Sequence, residues 1–215
     1  MSPRRAKAVT GRVDQDPATA LREHLIDTAE RLLYERPVAT ITTRDIARAA
    51  AVSDGVLYNY FADKQDLLLA ALLRRYRALA ERFEVALPEP GAGPVEENLR
   101  VFAKAMLDLH GRLMPTIAGL VSEPVLMHRF VEAIHGVPFG PQHNQRRLTD
   151  YVAREQALGR LADDEDPSAT SVQKTGAALV LVVAHHLLPA GARPSPAIQI
   201  PAIVDTLMRG LAPRP

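Results

Sequence analysis

Three features predict an all-α fold, with a small N-terminal helix-turn-helix unit ahead of a larger helical body, about nine helices in all. Apolar residues recur at three- and four-residue steps over most of the 215-residue chain. No stretch sustains the two-residue alternation of a strand. The breaks between periodic segments fall at capping residues, Pro and Gly. Caps are densest at residues 41–68, where two short helices are separated by a tight turn.

Composition bounds the function classes. Apolar residues make up 47% and charged residues 24%, which is ordinary for a globular chain that stays in solution. The absence of Cys excludes disulfides and thiolate metal sites. No N-terminal apolar signal core is present, and the longest apolar run, residues 177–188, is too short for a bilayer and carries His185 and His186. A cytoplasmic, non-membrane protein is expected. Net charge is only +1, but residues 1–82 hold 14 Lys/Arg against 11 Asp/Glu, while the remainder holds 12 against 14. That asymmetry has the sign of a basic reader on a neutral or acidic body.

Residues 1–15 lack apolar periodicity and carry Arg4, Arg5, Lys7 and Arg12. They read as a disordered tail or as a basic arm that orders on phosphates or in a minor groove. Asp16-Pro17 starts the first helix, Asp as N-cap and Pro at the first helical position. Leu21, Leu25, Thr28, Ala29 and Leu32 form its apolar face, with Arg22, Glu23, Asp27, Glu30 and Arg31 mostly opposite. Arg36 before Pro37 ends it.

Thr42 opens the second helix in a capping-box variant with Asp45, and Ile46, Ala47 and Ala50 face inward. The pattern breaks at Ala51-Val52 and restarts at Ser53, read as the N-cap of a third helix of about residues 54–60. Val56, Leu57 and Tyr60 or Phe61 are available to face its core. Asp63 caps a fourth, longer helix from Lys64 to about Leu87, stopped by Pro88, Pro90 and Gly91.

The rest reads as helical. Residues 95–113 form an amphipathic helix, and 115–121 add one or two turns after Pro115. Further helices are expected at 124–134 and 142–158, separated by a loop at 136–141. Residues 167–188 form a penultimate helix whose end, apolar on every side, implies burial. A Pro/Gly-rich connection at 189–196 leads to a last amphipathic helix from Pro201 to Leu211. Four segments follow: a flexible arm (1–15), the helix-turn-helix domain (16–63), a connecting helix and linker (64–92) and a larger helical domain (93–215).

The pattern T-x-R-D-I-A-x-x-A followed by V-S-x-G-x-L-Y-x-Y-F-x-x-K-x-x-L, over roughly residues 17–70, resembles the DNA-binding domain of the TetR family of transcriptional regulators. Gly159-Arg160-Leu161, followed by an acidic linker into the penultimate helix, resembles the family's regulatory domain. One departure is Ala51, where the family usually has Gly. A left-handed L-residue costs about 1–2 kcal/mol, so either the turn bends differently or some stability is lost.

The resemblance implies DNA contact by Thr43, Arg44, Ser53, Gly55, Val56, Tyr58, Asn59, Tyr60 and Lys64, with the third helix in the major groove. Arg44 suits a guanine or a phosphate, while Tyr58 and Lys64 suit phosphates. It also implies a homodimer through the last two helices, a palindromic double-stranded DNA operator, and repression relieved by a small-molecule effector. Phe102, Met106, His110, Leu113, Ile117, Met127, Phe130, Phe139, His143, Tyr151 and Thr175 have the mix of apolar side chains and few polar points that an effector cavity needs. An ordinary helical core has the same composition. An activator of the same family, or a helical-bundle binding protein or enzyme with a vestigial helix-turn-helix, are the rival readings.

The seven His residues offer no metal-binding spacing. Adjacent His185 and His186 point about 100° apart on a helix, and His128 and His135 lack a carboxylate at a ligand position. No Ser/His/Asp constellation follows from spacing either. No metal, no cofactor and no enzymatic activity are expected.

Overall fold

The computed structural model describes residues 16–135, 140–162, 166, 168–169, 176–177 and 195–211. These residues hold eight α-helices: α1 (Pro17–Glu35), α2 (Thr43–Ala49), α3 (Asp54–Leu57), α4 (Lys64–Ala86), α5 (Val95–Leu120), α6 (Pro124–His135), α7 (Pro141–Ala157) and α8 (Pro196–Leu211). A 3₁₀ turn at Val38–Thr40 joins α1 to α2, and no strand occurs among the described residues. The all-α expectation is met. The basic arm, Phe139, Thr175 and most of the expected penultimate helix lie outside the described residues.

The chain divides into two compact units, one holding the described residues up to Tyr76 with Ile117–Ala133, the other Arg77–Thr116 and the described residues from Ile134 onward. In the first unit α1 packs on α2 and α2 on α3. Pro17 occupies the first turn of α1 as expected, but the Asp16 side chain makes no cap bond. Its backbone carbonyl accepts from Ala20 instead (3.0 Å). Arg36 turns to extended backbone (φ −155°) before Pro37 and ends the helix.

Leu25, Ile26, Thr28, Ala29 and Leu32 bury the inner face of α1, with Ala20 rather than Leu21 completing it. Glu23, Asp27 and Glu30 form an acidic stripe at helical spacing, and Arg74 of α4 reaches all three, at 3.4, 2.6 and 2.8 Å. Tyr76 meets Phe130 edge-to-face, with ring centroids 6.1 Å apart. Burial pushes the Tyr76 phenol up to about 12.

The second unit has one apolar cluster built from Phe83, Leu87, Val95, Leu99, Phe102, Met106, Leu109, Leu148, Tyr151, Val152, Leu161 and Val204. On α7 the inward stripe runs Asn144, Leu148, Tyr151 and Val152, then Glu155, whose side chain is fully buried. The Gly91 N–H donates to one Glu155 carboxylate oxygen (2.9 Å), and Arg160 Nε lies 3.1 Å from the other. Arg160 also donates to the Gly93 carbonyl.

Gly159 follows α7 at φ 68°, and its N–H and that of Arg160 close back onto Gln156 and Glu155 (2.8 and 2.9 Å). That reversal sends Arg160 back to Glu155 and Leu161 into the core. The Gly-Arg-Leu run seen in the sequence is therefore one turn, one counter-charge and one apolar anchor.

Two prolines behave differently from expectation. Pro115 does not end the helix begun at Val95, and α5 runs through it to Leu120, which is fully buried. Burial at Leu109 and Leu120 on either side outweighs the roughly 3 kcal/mol an internal Pro costs. The last helix starts at Pro196 rather than Pro201, which lies inside it. Ser195 accepts the first two backbone bonds, from Ile198 and Gln199 (3.0 and 2.9 Å).

Candidate nucleic-acid interface

Residues 42–64 form two short helices and the turn between them. At the start of α2 the Asp45 N–H donates to Thr42 Oγ1 (3.1 Å), while the Thr42 N–H donates to Asp45 Oδ2 (3.0 Å). The Thr42 hydroxyl donates to the same carboxylate oxygen (2.6 Å). This is the expected capping box. Hydrogen bonds from the Thr42 side chain and then its backbone hold the Asp45 carboxyl below its ordinary 3.8, helped by the charges of Arg36 and Arg48.

The turn after α2 settles the question raised by Ala51, which takes the left-handed conformation (φ 57°). The Val52 N–H reaches the Ala47 carbonyl (3.0 Å) and the Ala51 N–H that of Arg48 (3.2 Å), the paired closure of a Schellman motif. The turn that Gly would make is kept at the steric cost of a Cβ. His24 of α1 lies 3.1 Å from the Ala50 carbonyl and ties the turn to the scaffold.

The third helix is shorter than expected. α3 ends at Leu57, and Tyr58, Asn59 and Tyr60 continue as turns closed by Asn59 N–H to Val56 O (3.2 Å) and Tyr60 N–H to Leu57 O (3.0 Å). Ser53 precedes it in extended backbone but makes no side-chain cap bond, contrary to expectation. Leu57 and Phe61 are its buried anchors, each 3% exposed, while Val56 and Tyr60 are half-buried. The Asp66 N–H donates to Asp63 Oδ1 (2.6 Å), confirming the cap on α4, and the Ala62 N–H donates back to Asp66 (3.2 Å). Arg129 of α6 lies 3.6 Å from Asp63 and 3.4 Å from Asp66.

Of the residues singled out from sequence, Arg44, Ser53, Gly55, Tyr58 and Asn59 are exposed, and Thr43, Val56, Tyr60 and Lys64 are half-buried. Arg44 projects from the first turn of α2 with its side chain 77% exposed, and its Nε lies 3.6 Å from Asp54 of α3. A Cβ built on Gly55 meets nothing within 4 Å, so packing does not require glycine there. The Lys64 ammonium donates to the Ile41 carbonyl (3.0 Å), which uses one of its three protons to brace the entry to α2. Sequence reasoning missed Asp54 as the partner of Arg44. It also missed the Arg129 pairs, because contacts this distant in sequence leave no local pattern.

The residues considered for an effector fall in both units. Phe102, Met106 and Tyr151 join the core of the second unit, with the Phe102 and Tyr151 rings 5.1 Å apart. Asn98 donates to the Tyr151 hydroxyl (2.9 Å), and burial pushes that phenol up to about 12. His110 and Leu113 are half-buried in the same unit. Burial lowers the His110 pKa, against the opposing effect of its bond with the Met106 carbonyl.

His143 Nε2 lies 2.9 Å from Glu84, whose other oxygen is 3.1 Å from Arg147 Nε. Ile117, Met127 and Phe130 belong to the first unit. A shallow recess with room for about one water, about 10 Å³, is lined by Pro88, Pro90, Phe102, Arg147, Asp150, Tyr151 and Arg154. Among the described residues no group of three or more His, Asp or Glu is arranged to hold a metal ion.

Residues 25–71, which build this helix-turn-helix, match the family model described as bacterial regulatory proteins, tetR family. The chain is 36% identical over 78 residues to the HTH-type transcriptional regulator HbdR of Aromatoleum sp. (strain CIB), which covers 35% of this chain and 32% of that protein. It is 33% identical over 88 residues to the HTH-type transcriptional repressor LfrR of Mycolicibacterium smegmatis, covering 41% of this chain and 44% of that one. The match thus spans less than half the length of these curated relatives. The fold likeness extends further: the solved structure of the Flavonoid-responsive Regulator FrrA superposes with a TM-score of 0.63 at 26% identity, over 92% of this chain and 100% of that one. The capped α2, the left-handed turn and the exposed α3 are the part that the family model matches, and over residues 25–71 the chain is similar to the TetR family of bacterial regulatory proteins.

Proposed function

We propose that this chain is a sequence-specific DNA-binding transcriptional regulator, acting as a homodimeric repressor that a small-molecule ligand releases from a palindromic operator. The observation that carries this reading is the face of residues 53–59. Ser53, Asp54, Gly55, Tyr58 and Asn59 are exposed, while Leu57 anchors the segment in the core. A short helix held from beneath and polar outward is what a major groove admits. Gly55, which the packing does not require, leaves room for a base pair to approach the backbone.

In this reading Ser53, Gly55, Val56, Asn59 and Tyr60 face base edges, with Arg44 beside them. Thr43, Tyr58 and Lys64 hold phosphates and set register. Residues 16–63 are the reading domain, 64–92 the connection and 93–215 the regulatory and dimerisation domain. The last two helices of each protomer form a four-helix seam, which sets two readers about 34–36 Å apart. The work is done in the cytoplasm, in keeping with the absence of any helix among the described residues long and apolar enough to cross a membrane.

Ligand release works by population shift, the ligand favouring a conformation in which α4 swings and the readers miss the half-site spacing. Arg129 supports a route for it, since it pairs with the two carboxylates that cap α4 immediately after the reader. LfrR is named a repressor and FrrA flavonoid-responsive, which favours the same sign and the same kind of effector here.

The test is selection of binding sites from random double-stranded DNA, followed by a screen of small organic molecules for release and by in vitro transcription from the selected site. A palindromic site, release by at least one compound class and less transcript with protein present are expected. More transcript would make the chain an activator. Failure to select any sequence would favour a helical binding protein with a vestigial reader.

A further inference from the structure

Asp54 lies where the proposed reading puts DNA, and it is acidic. A carboxylate there repels phosphate, so backbone contact does not explain it. The ion pair with Arg44 does little for stability either, because the two side chains are 53% and 77% exposed and 3.6 Å apart. At 3.6 Å the contact is an ion pair longer than a hydrogen bond, and what it does is set the carboxylate beside the guanidinium Nε on the exposed face. Arg44 stands in the first turn of α2 and Asp54 in the first turn of α3, and the rigid turn between them is closed by the bonds of Ala51 and Val52.

We propose that Asp54 is a positioning residue for base readout, holding the Arg44 guanidinium by its Nε so that the two terminal nitrogens address a guanine. The pair makes one position of each half-site a G·C base pair. A guanidinium has five N–H donors in a planar fork. With Nε turned to Asp54, the terminal Nη1 and Nη2 remain to donate to guanine O6 and N7. The carboxylate serves the same choice from the other side, since its free oxygen accepts from the N4 amine of cytosine and repels the acceptors of guanine and thymine. An unbraced Arg44 on a long flexible stem would settle on phosphate as readily as on a base, and so carry less sequence information.

This inference rests on the DNA-reading role proposed above, and one experiment separates the two. The full chain and its Arg44→Ala, Asp54→Asn and Asp54→Glu variants are each taken through site selection from random double-stranded DNA, with thermal melting alongside to confirm folding. The wild type should select sites with a G·C pair at one position per half-site that Arg44→Ala makes indifferent. Asp54→Asn, which keeps the shape and removes the charge, should cut the preference at that same position by about tenfold while leaving the others within about twofold. Asp54→Glu, which keeps the charge, should retain most of it.

If Asp54→Asn raises affinity for all sequences alike and keeps the Arg44-dependent preference, Asp54 is only a repelling charge and the inference fails while the DNA-reading role stands. It fails in the same way if Arg44→Ala alters no position. If the wild type selects no site, both fall together.

Discussion

Ala51 holds a left-handed backbone that glycine adopts without strain, and it does so inside a turn closed by two hydrogen bonds. Replacing it with glycine should remove a steric cost of about 1–2 kcal/mol and add about 0.4–1 kcal/mol of unfolded-chain entropy. Ala51→Gly is therefore expected to stabilise the chain by about 1 kcal/mol in urea unfolding, with the DNA site selected by the protein unchanged. Gly55 presents the opposite case, because its surroundings are open and its backbone is ordinary. Gly55→Ala should leave folding unharmed or improve it by about 0.5–1 kcal/mol, yet weaken operator binding by about tenfold or more, as read in parallel melting and binding titrations. A variant that binds as tightly as the wild type would remove Gly55 from the interface.

Among the elements, those governed by local chemistry were legible in advance. The Thr42/Asp45 capping box, the Asp63 cap and the stop at Pro37 needed only neighbours a few residues apart, and the helices they bound fall where expected. Elements governed by burial were less legible. α5 passes through Pro115 because Leu120 beyond it is buried, and a sequence read by its breakers ends the helix too early. Ser53 invites a cap that its side chain does not make, since the preference is statistical and the geometry is local. In the site, the exposed polar face of α3 was visible as spacing, whereas the pairing of Arg44 with Asp54 needed the turn to be folded first.

Two predictions belong to elements of the second unit. On α7, Glu155 is a carboxylate in an apolar stripe, fully buried and countered by Arg160. Arg160→Ala strands that charge and should cost about 2–3 kcal/mol in urea unfolding, whereas Arg31→Ala, from an exposed pair with Glu35, should cost less than about 1 kcal/mol. Equal losses would place Glu155 in contact with solvent.

On α5, burial lowers the His110 pKa below its ordinary 6.5, so the unfolded chain takes up a proton there more readily than the folded one. His110 therefore costs nothing above pH 6.5, and the stability it leaves intact is lost as pH falls through 6.5 toward the lowered folded value. Between about pH 7.5 and about pH 5.5 the melting temperature of the wild type should fall further than that of His110→Asn. Parallel curves would contradict the burial of this ring.

At the scale of the whole molecule, the features that point to function are concentrated in one segment. The family model covers residues 25–71, and the same residues carry the cap, the left-handed turn and the exposed α3. The larger unit contributes a packed apolar core with one buried ionic clamp, and the fold likeness to FrrA spans nearly the full chain. A cavity is harder to read from sequence than a reader, because Phe102, Met106 and Tyr151 serve a close-packed core and a ligand chamber with the same chemistry.

If residues 42–64 read sequence rather than merely attract nucleic acid, the full chain must separate one duplex from another. The most direct measure is the ratio of its dissociation constants for the selected site and for a scrambled duplex of equal length and composition, at physiological salt. The selected site should bind at least about a thousandfold more tightly. A ratio within about tenfold would contradict the reading role, reducing the helix-turn-helix to a surface without a code.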